Sequence, residues 1–275
     1  MELSIMRVSV SGRELAVSVV GKGEPVVLVH GAFFARPFDA LANQASLRDS
    51  FQLVAPQRYG YGSSSKPDAP YSMDDVMSDL NAVLDQVGAS RAHVVAHSAG
   101  GPYALQLALE YPQRVHTLTL AESVIMTPEW GGFLQEHFMP AGGHLQNGDP
   151  ATALDTSFGA VYGSTAYRTE IDDHMPDGWY EQALADLPHL FLHESPALRS
   201  STFGPNTATN ITQPVLILHG ENSEPIWVDL VQKAQQLLPH AEIRQIAGTN
   251  HMFPVLRPAE TANELASFLK SHPMQ

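Results

Sequence analysis

Ala96-His97-Ser98-Ala99-Gly100-Gly101 lies between a short apolar run, Ala92-His93-Val94-Val95-Ala96, and a helix-like segment over residues 102–111. A serine on a sharp strand-to-helix turn is pushed into a strained backbone conformation, and its hydroxyl then projects clear of the sheet. Small residues two positions to either side let the chain turn that tightly. Here they are Ala96 and Gly100. Ala96 replaces the first glycine of the G-x-S-x-G pattern and keeps the volume small. The pattern alone is weak. Its place between a strand and a helix makes Ser98 a candidate nucleophile.

Outward from this turn, strands alternate with helices. Residues 3–10 and 14–20 alternate in polarity around Ser11-Gly12-Arg13 and predict a β-hairpin. Residues 25–29 and 51–55 are short and continuously apolar, as strands buried on both faces should be. Residues 73–87 place Val76, Leu80, Val83, Leu84 and Val87 at a helical period, stopped by Gly88. A strand over 115–121, a strand over 214–218, a helix over 228–238, a strand over 241–246 and a helix over 258–270 follow. This order predicts an α/β fold, a mostly parallel central sheet flanked by helices. Residues 123–210 break the alternation. They are rich in Gly, Pro, Met, Phe and Tyr, and 181–192 is their clearest helix. Too long for an ordinary loop, they read as an inserted, mainly helical cap (lid) domain. Residues 1–122 and 211–275 form the core domain.

Composition narrows the partners. Of 275 residues 44% are apolar, enough for a sizeable core, and the formal charge is −14. Nucleic acid and anionic membranes should repel such a chain, and no apolar run approaches the length of a membrane span. No cysteine is present, which removes disulfides, thiolate metal sites and a cysteine nucleophile. The start, Met1 to Arg7, lacks the basic-then-apolar form of a secretory leader, so a cytoplasmic location is expected. No two of the thirteen histidines flank a Glu at the spacing of a zinc protease helix. No metal and no organic cofactor is expected. His137, His144, Asp172, Asp173 and His174 read as solvated groups.

Two further loops carry candidate chemistry. Val29-His30-Gly31-Ala32-Phe33 follows the third strand. The backbone N–H groups of Ala32 and of Ala99, just after the serine, are candidate donors to a substrate oxyanion, each such donor typically worth about 3–4 kcal/mol in the transition state. His30 reads as a ring that bonds loop backbone. Gly248-Thr249-Asn250-His251 follows the last strand, where a histidine can take the serine proton and return it to the leaving group.

With these parts in this order, the chain resembles an α/β-hydrolase with a cap over essentially its whole length. The resemblance rests on the His30-Gly31 loop, the Arg58-Tyr59-Gly60-Tyr61-Gly62-Ser63-Ser64 turn, the Ser98 elbow and the Gly248-x-x-His251 loop. The chain departs from such relatives twice. Gln57 stands where many have Asp. Ser223 stands at the usual acid position, in His219-Gly220-Glu221-Asn222-Ser223-Glu224. A serine carries no charge to hold an imidazolium. Glu224, one residue on, is one replacement. The preferred one is Glu122, which closes the apolar strand 115–121 and needs a partner there. Glu221 reads as a loop charge. A subset of the superfamily carries its acid at the Glu122 position, zearalenone-type lactonases among them.

The resemblance implies acyl transfer by Ser98, Glu122 and His251 on a hydrophobic carboxylic ester or lactone, possible substrates including a zearalenone-like macrolactone. The cap offers Trp130, Phe133, Phe138, Met139, Phe158, Tyr162, Trp179, Tyr180 and Phe191; Phe33, Phe34 and Trp227 lie near the catalytic loops. Phe33, Trp179 and Trp227 are taken as substrate-binding candidates in an apolar pocket. The alternatives are a cofactor-free perhydrolase, a C–C bond hydrolase on the same triad, and a non-catalytic ligand receptor. Ala99 after the nucleophile weakens the first. Ser223 weakens the second.

Overall fold

The alternating N-terminal runs pair as an antiparallel hairpin, β1 (Ser4–Val10) and β2 (Arg13–Gly21), turning through Ser11 and Gly12, both at positive φ. The structure, a computed structural model, describes residues 4–274. Leu3, expected to open the first strand, and the start of the leader reading at Met1 lie outside them.

Next come β3 (Glu24–Val29) and β4 (Phe51–Pro56), then helix α1 (Met73–Gln86). Ser72 caps α1: its hydroxyl accepts from the Asp75 N–H, while the Asp75 carboxylate accepts from the Ser72 N–H. Such a reciprocal box stabilises a helix start by about 1 kcal/mol. β5 (Ala92–His97), α2 (Gly101–Glu110) and β6 (Val115–Ala121) follow. After residues 123–210 the chain returns as β7 (Val215–Gly220) and β8 (Glu242–Ile246).

The eight strands lie in the order β1-β2-β4-β3-β5-β6-β7-β8. β2 meets β4 antiparallel; from β4 to β8 every pairing is parallel. The strand period of two sends alternate side chains to opposite faces. Val27 and Val29 pack with Leu80 and Val83 of α1 on one face. Val26 and Leu28 pack with Leu265 and Phe268 of the C-terminal helix (Pro258–Ser271) on the other. Burial on both faces explains why these strands read as unbroken apolar runs. Because β3, β5, β6, β7 and β8 run the same way, the loops after Val29, His97, Ala121, Gly220 and Ile246 gather at one edge of the sheet, where open α/β sheets bind ligands.

Between β6 and β7 the described residues are helical, with no strand. Helices α3 (Pro128–Phe133), α4 (Met139–Gln146), α5 (Pro150–Tyr162), α6 (Trp179–His189) and α7 (Ser195–Arg199) are its main elements. The expected helix over 181–192 differs from the observed one. It starts at Trp179 and passes at His189 into a π-helical turn, Leu190–Glu194; a second such turn, Leu134–Phe138, joins α3 to α4. A proline lies two residues beyond each turn, Pro140 and Pro196. Proline has no N–H for the usual i→i−4 bond and its ring crowds the carbonyl four residues back, so the wider turn relieves both. Among the described residues no helix is long and apolar enough to cross a membrane.

Candidate active site

Ser98 leaves β5 at φ 54°, in the left-handed region that a serine rarely adopts. The turn is held from both sides. Val124 donates its N–H to the Ser98 carbonyl at 2.9 Å. A Cβ on Gly100 would lie 2.3 Å from the Val29 carbonyl oxygen, so only glycine lets the elbow press against β3. Among the described residues, four other than glycine have positive φ: Ser11, Phe33, Ser98 and Glu122. Ser11 is the hairpin turn. The other three lie at the strand ends of this one edge. Backbone strain gathered in this way marks functional sites.

Glu122 follows β6 at φ 39° and is 1% exposed. Its N–H donates to the Leu218 carbonyl on β7. Its Oε2 accepts from His251 Nδ1 at 2.8 Å, and its Oε1 accepts from the Gly220 N–H at 2.8 Å and the Ser223 hydroxyl at 2.6 Å. The serine at the relatives' usual acid position is thus a donor to Glu122. Glu224 lies elsewhere, against Gly163 at the end of α5. Glu221 accepts from the Gly248 N–H and braces the His251 loop.

The His251 ring is held between two others. Trp227, in helix α8 (Pro225–Leu237), stacks on it with centroids 3.7 Å apart and planes 9° apart. His97 stacks at 4.5 Å and 28°, and donates Nε2–H to the His251 carbonyl at 2.9 Å. Two rings stacked on one imidazole must occupy its opposite faces. Trp227 also donates its indole N–H to the Val161 carbonyl in α5. Ser98 and His251 line one narrow crevice of about 10 Å³, together with Gly31, Ala32 and Phe33.

Ser98 also lines a cavity of about 590 Å³ with Ala32, Phe33 and Ala99. Its far walls come from the helical segment: Met126, Trp130, Leu134, Phe138, Val161, Leu190 and Phe191, with Thr127, Gln135, Ser195 and Arg199 as polar exceptions. Both π-helical turns supply part of this wall. Of the three aromatic candidates from the sequence, Phe33 alone lines it. Trp227 is fully buried behind His251. Trp179 packs edge-on against Phe34, donates to Asp172 at 2.8 Å, and borders a separate hollow of about 210 Å³ beside Arg36 and Met175. These two tryptophans therefore support the site from outside the cavity.

Arg58 was visible in the sequence only as part of the Tyr-Gly turn. Its guanidinium donates to the carbonyls of His30 at 2.9 Å and Gly31 at 2.8 Å, and pairs with the fully buried Glu194. Tyr61 and Tyr103 also donate to Glu194. His30 donates Nδ1–H to the Gly31 carbonyl and accepts the Arg58 N–H at Nε2. It is a brace for the loop. Gln57 has a similar part in its own turn, accepting the Ser63 N–H at 2.7 Å.

The description "Alpha/beta hydrolase family" matches residues 26–264. The chain belongs to that family. It is 33% identical over 130 residues to an uncharacterized hydrolase, YcgS, of Bacillus subtilis; the match covers 47% of this chain and 44% of that protein. A thermophilic esterase from Thermogutta terrifontis superposes with a TM-score of 0.82 at 18% identity, covering 98% of this chain and 100% of that one. The enol-lactonase from Burkholderia xenovorans LB400 gives 0.77 at 17%, covering 96% and 100%. These two likenesses speak for the fold.

In this family member burial dominates the charges at the strand ends. It lowers the His251 imidazole to about 3, and likewise His97, so both rings are neutral near pH 7. It raises Glu122 to about 7, against the opposing hydrogen bonds from Ser223 and Gly220. At Arg58 burial opposes the charge, but Glu194 together with Tyr61, Tyr103 and Tyr71 outweighs it and the pKa is raised.

Two outcomes follow from this arrangement. Glu122→Gln keeps the shape but removes the charge facing His251, and should lower kcat on the order of 10⁴-fold if Glu122 acts as a triad acid does. Glu224→Gln should change kcat little. Steady-state kinetics of the two variants on one ester measures both, and the reverse order would assign the acid to Glu224. The second outcome concerns pH. The Glu122–His251 pair takes up its first proton as pH falls through about 7, and titrates as a unit. Protonation removes the negative charge that stabilises a forming imidazolium, so kcat/KM should fall on the acid side. Ser223→Ala removes a donor that favours the ionised carboxylate. Its acid limb should therefore move to higher pH, read from the pH profile of kcat/KM. A limb that stays in place, or moves down, contradicts the assignment.

Proposed function

We propose that this protein is a serine hydrolase that cleaves hydrophobic carboxylic esters or lactones through an acyl-enzyme. The observation that carries the reading is the buried His251–Glu122 hydrogen bond beside a strained Ser98 that opens on the large cavity. Ser98 Oγ attacks the substrate carbonyl carbon and its proton passes to His251 Nε2. Glu122 holds the other ring nitrogen and stabilises the imidazolium. The N–H groups of Ala32 and Ala99 take the oxyanion. As the C–O bond breaks, His251 returns the proton to the leaving oxygen. Water then attacks the acyl-enzyme, with His251 again the base, and the acid departs. The chemistry needs only these groups.

Trp227 and His97 fix the ring plane of His251, so the base begins each turnover oriented. Preorganisation of this sort matters because small misplacements of a catalytic group are costly in rate. Residues 123–210 act as the cap domain of this reading, since their side chains form most of the cavity wall. A cavity of about 590 Å³ with largely apolar walls favours a bulky apolar substrate. The names of the esterase and enol-lactonase neighbours support an ester or lactone as the bond cleaved, and a resorcylic macrolactone is one substrate worth testing.

The test is turnover by wild type and Ser98→Ala on short aryl esters, bulky aryl esters, small lactones and a resorcylic macrolactone. Wild type should prefer the bulky members, and Ser98→Ala should lose hydrolysis while keeping its fold by circular dichroism. Tight binding without turnover by wild type would instead support a ligand receptor. Equal turnover by both proteins would remove Ser98 from the chemistry.

A further inference from the structure

Every arginine of the chain but one is engaged by a hydrogen bond or an ion pair among the described residues. The exception is Arg199. With 29 acidic residues against 15 basic ones, an unengaged guanidinium is unexpected here. Arg199 ends α7, is exposed, and lines the same cavity that reaches Ser98.

It has polar company. Ser195 lies one helical turn earlier on the same face of α7, and Gln135 comes from the other π-helical turn; both line the cavity. Neither side chain has a hydrogen-bond partner among the described residues. Phe138, Met139 and Leu198 make the apolar wall around them. The carboxylate nearest along the chain, Glu194, is occupied by Arg58, Tyr61 and Tyr103. The cavity thus has a largely apolar lining that includes one cation, Arg199, and two unused donors, Gln135 and Ser195.

We propose that Arg199, with Gln135 and Ser195, binds a free carboxylate on the substrate. The preferred substrate is then an ester or lactone whose long apolar acyl part carries a second, unesterified carboxylate. A guanidinium presents parallel N–H groups that fit a carboxylate two-to-two, and a hydroxyl and an amide add donors. The chain's overall negative charge repels anions at long range, so a local cation is what such a substrate requires. The proposal rests on the cavity being the ester site.

Titration calorimetry in the Ser98→Ala background tests it without turnover, with monomethyl sebacate (one free carboxylate) and dimethyl sebacate (none). The mono-acid should bind more tightly, by roughly 5- to 10-fold at low salt, the range of a partly exposed charge-assisted contact. Arg199→Ala should abolish that preference, Arg199→Glu should reverse it, and high salt should weaken it. No preference with Arg199 present, or a preference that survives both substitutions, overturns the proposal. Turnover of the two esters by the otherwise wild-type chain separates this from the hydrolase reading. If neither is cleaved yet the Arg199-dependent preference persists, the carboxylate subsite stands and the hydrolase reading falls.

Discussion

The buried carboxylate of Glu122 is the constraint on which the site depends. It sits at the end of β6, takes hydrogen bonds from the start of the β7 loop through Gly220 and Ser223, and from the loop after β8 through His251. Three strand ends are thereby tied to one side chain. A carboxylate out of water is costly unless its lone pairs are filled. Here three donors occupy three of the roughly four, and depriving a buried group of a hydrogen-bond partner typically costs about 1–3 kcal/mol, more when the group is charged. The same burial keeps His251 neutral, as the proposed base must be, while the hydrogen bonds from Ser223 and Gly220 favour the ionised Glu122 carboxylate facing that ring.

A second buried pair extends the order into the helical segment. Arg58 holds the His30 and Gly31 carbonyls, and so the loop carrying Ala32, while Glu194 holds Arg58 from the π-helical turn Leu190–Glu194. The cavity wall and the loop carrying Ala32 are therefore braced by the same ion pair. Asp186 adds another tie from α6, accepting from the Gly62 N–H at 2.7 Å and pairing with Lys66. Trp227 adds a third, between Val161 and the His251 ring. Segment and sheet edge thus meet through several buried or part-buried hydrogen bonds and ion pairs, which favours one fixed arrangement over a loose one.

The fold and the core of the site were legible because their signals are local. The elbow needs a small residue on each side of Ser98. The buried strands need unbroken apolar runs. His251 stands in the only loop between the last strand and the last helix. Glu122 was visible as a charge closing an apolar strand. What stayed hidden depends on distant partners. Arg58 and Glu194 are 136 residues apart, and only the oddity of a Glu at the end of Leu190-Phe191-Leu192-His193 marked the second of them. The π-helical turns follow from Pro140 and Pro196 once the helices are known, but a 3.6-residue period does not reveal them. Trp179 and Trp227 are apolar enough to line a pocket or to pack behind one, and composition does not separate those two fates.

The central claim is that Ser98 is a nucleophile activated by a histidine whose orientation Glu122 maintains. Intact-protein and peptide mass spectrometry after reaction with a fluorophosphonate tests it most directly. The account predicts one adduct, on Ser98, that forms readily in wild type and much more slowly in Glu122→Gln. An unlabelled wild type, or an adduct on a different residue, would contradict it.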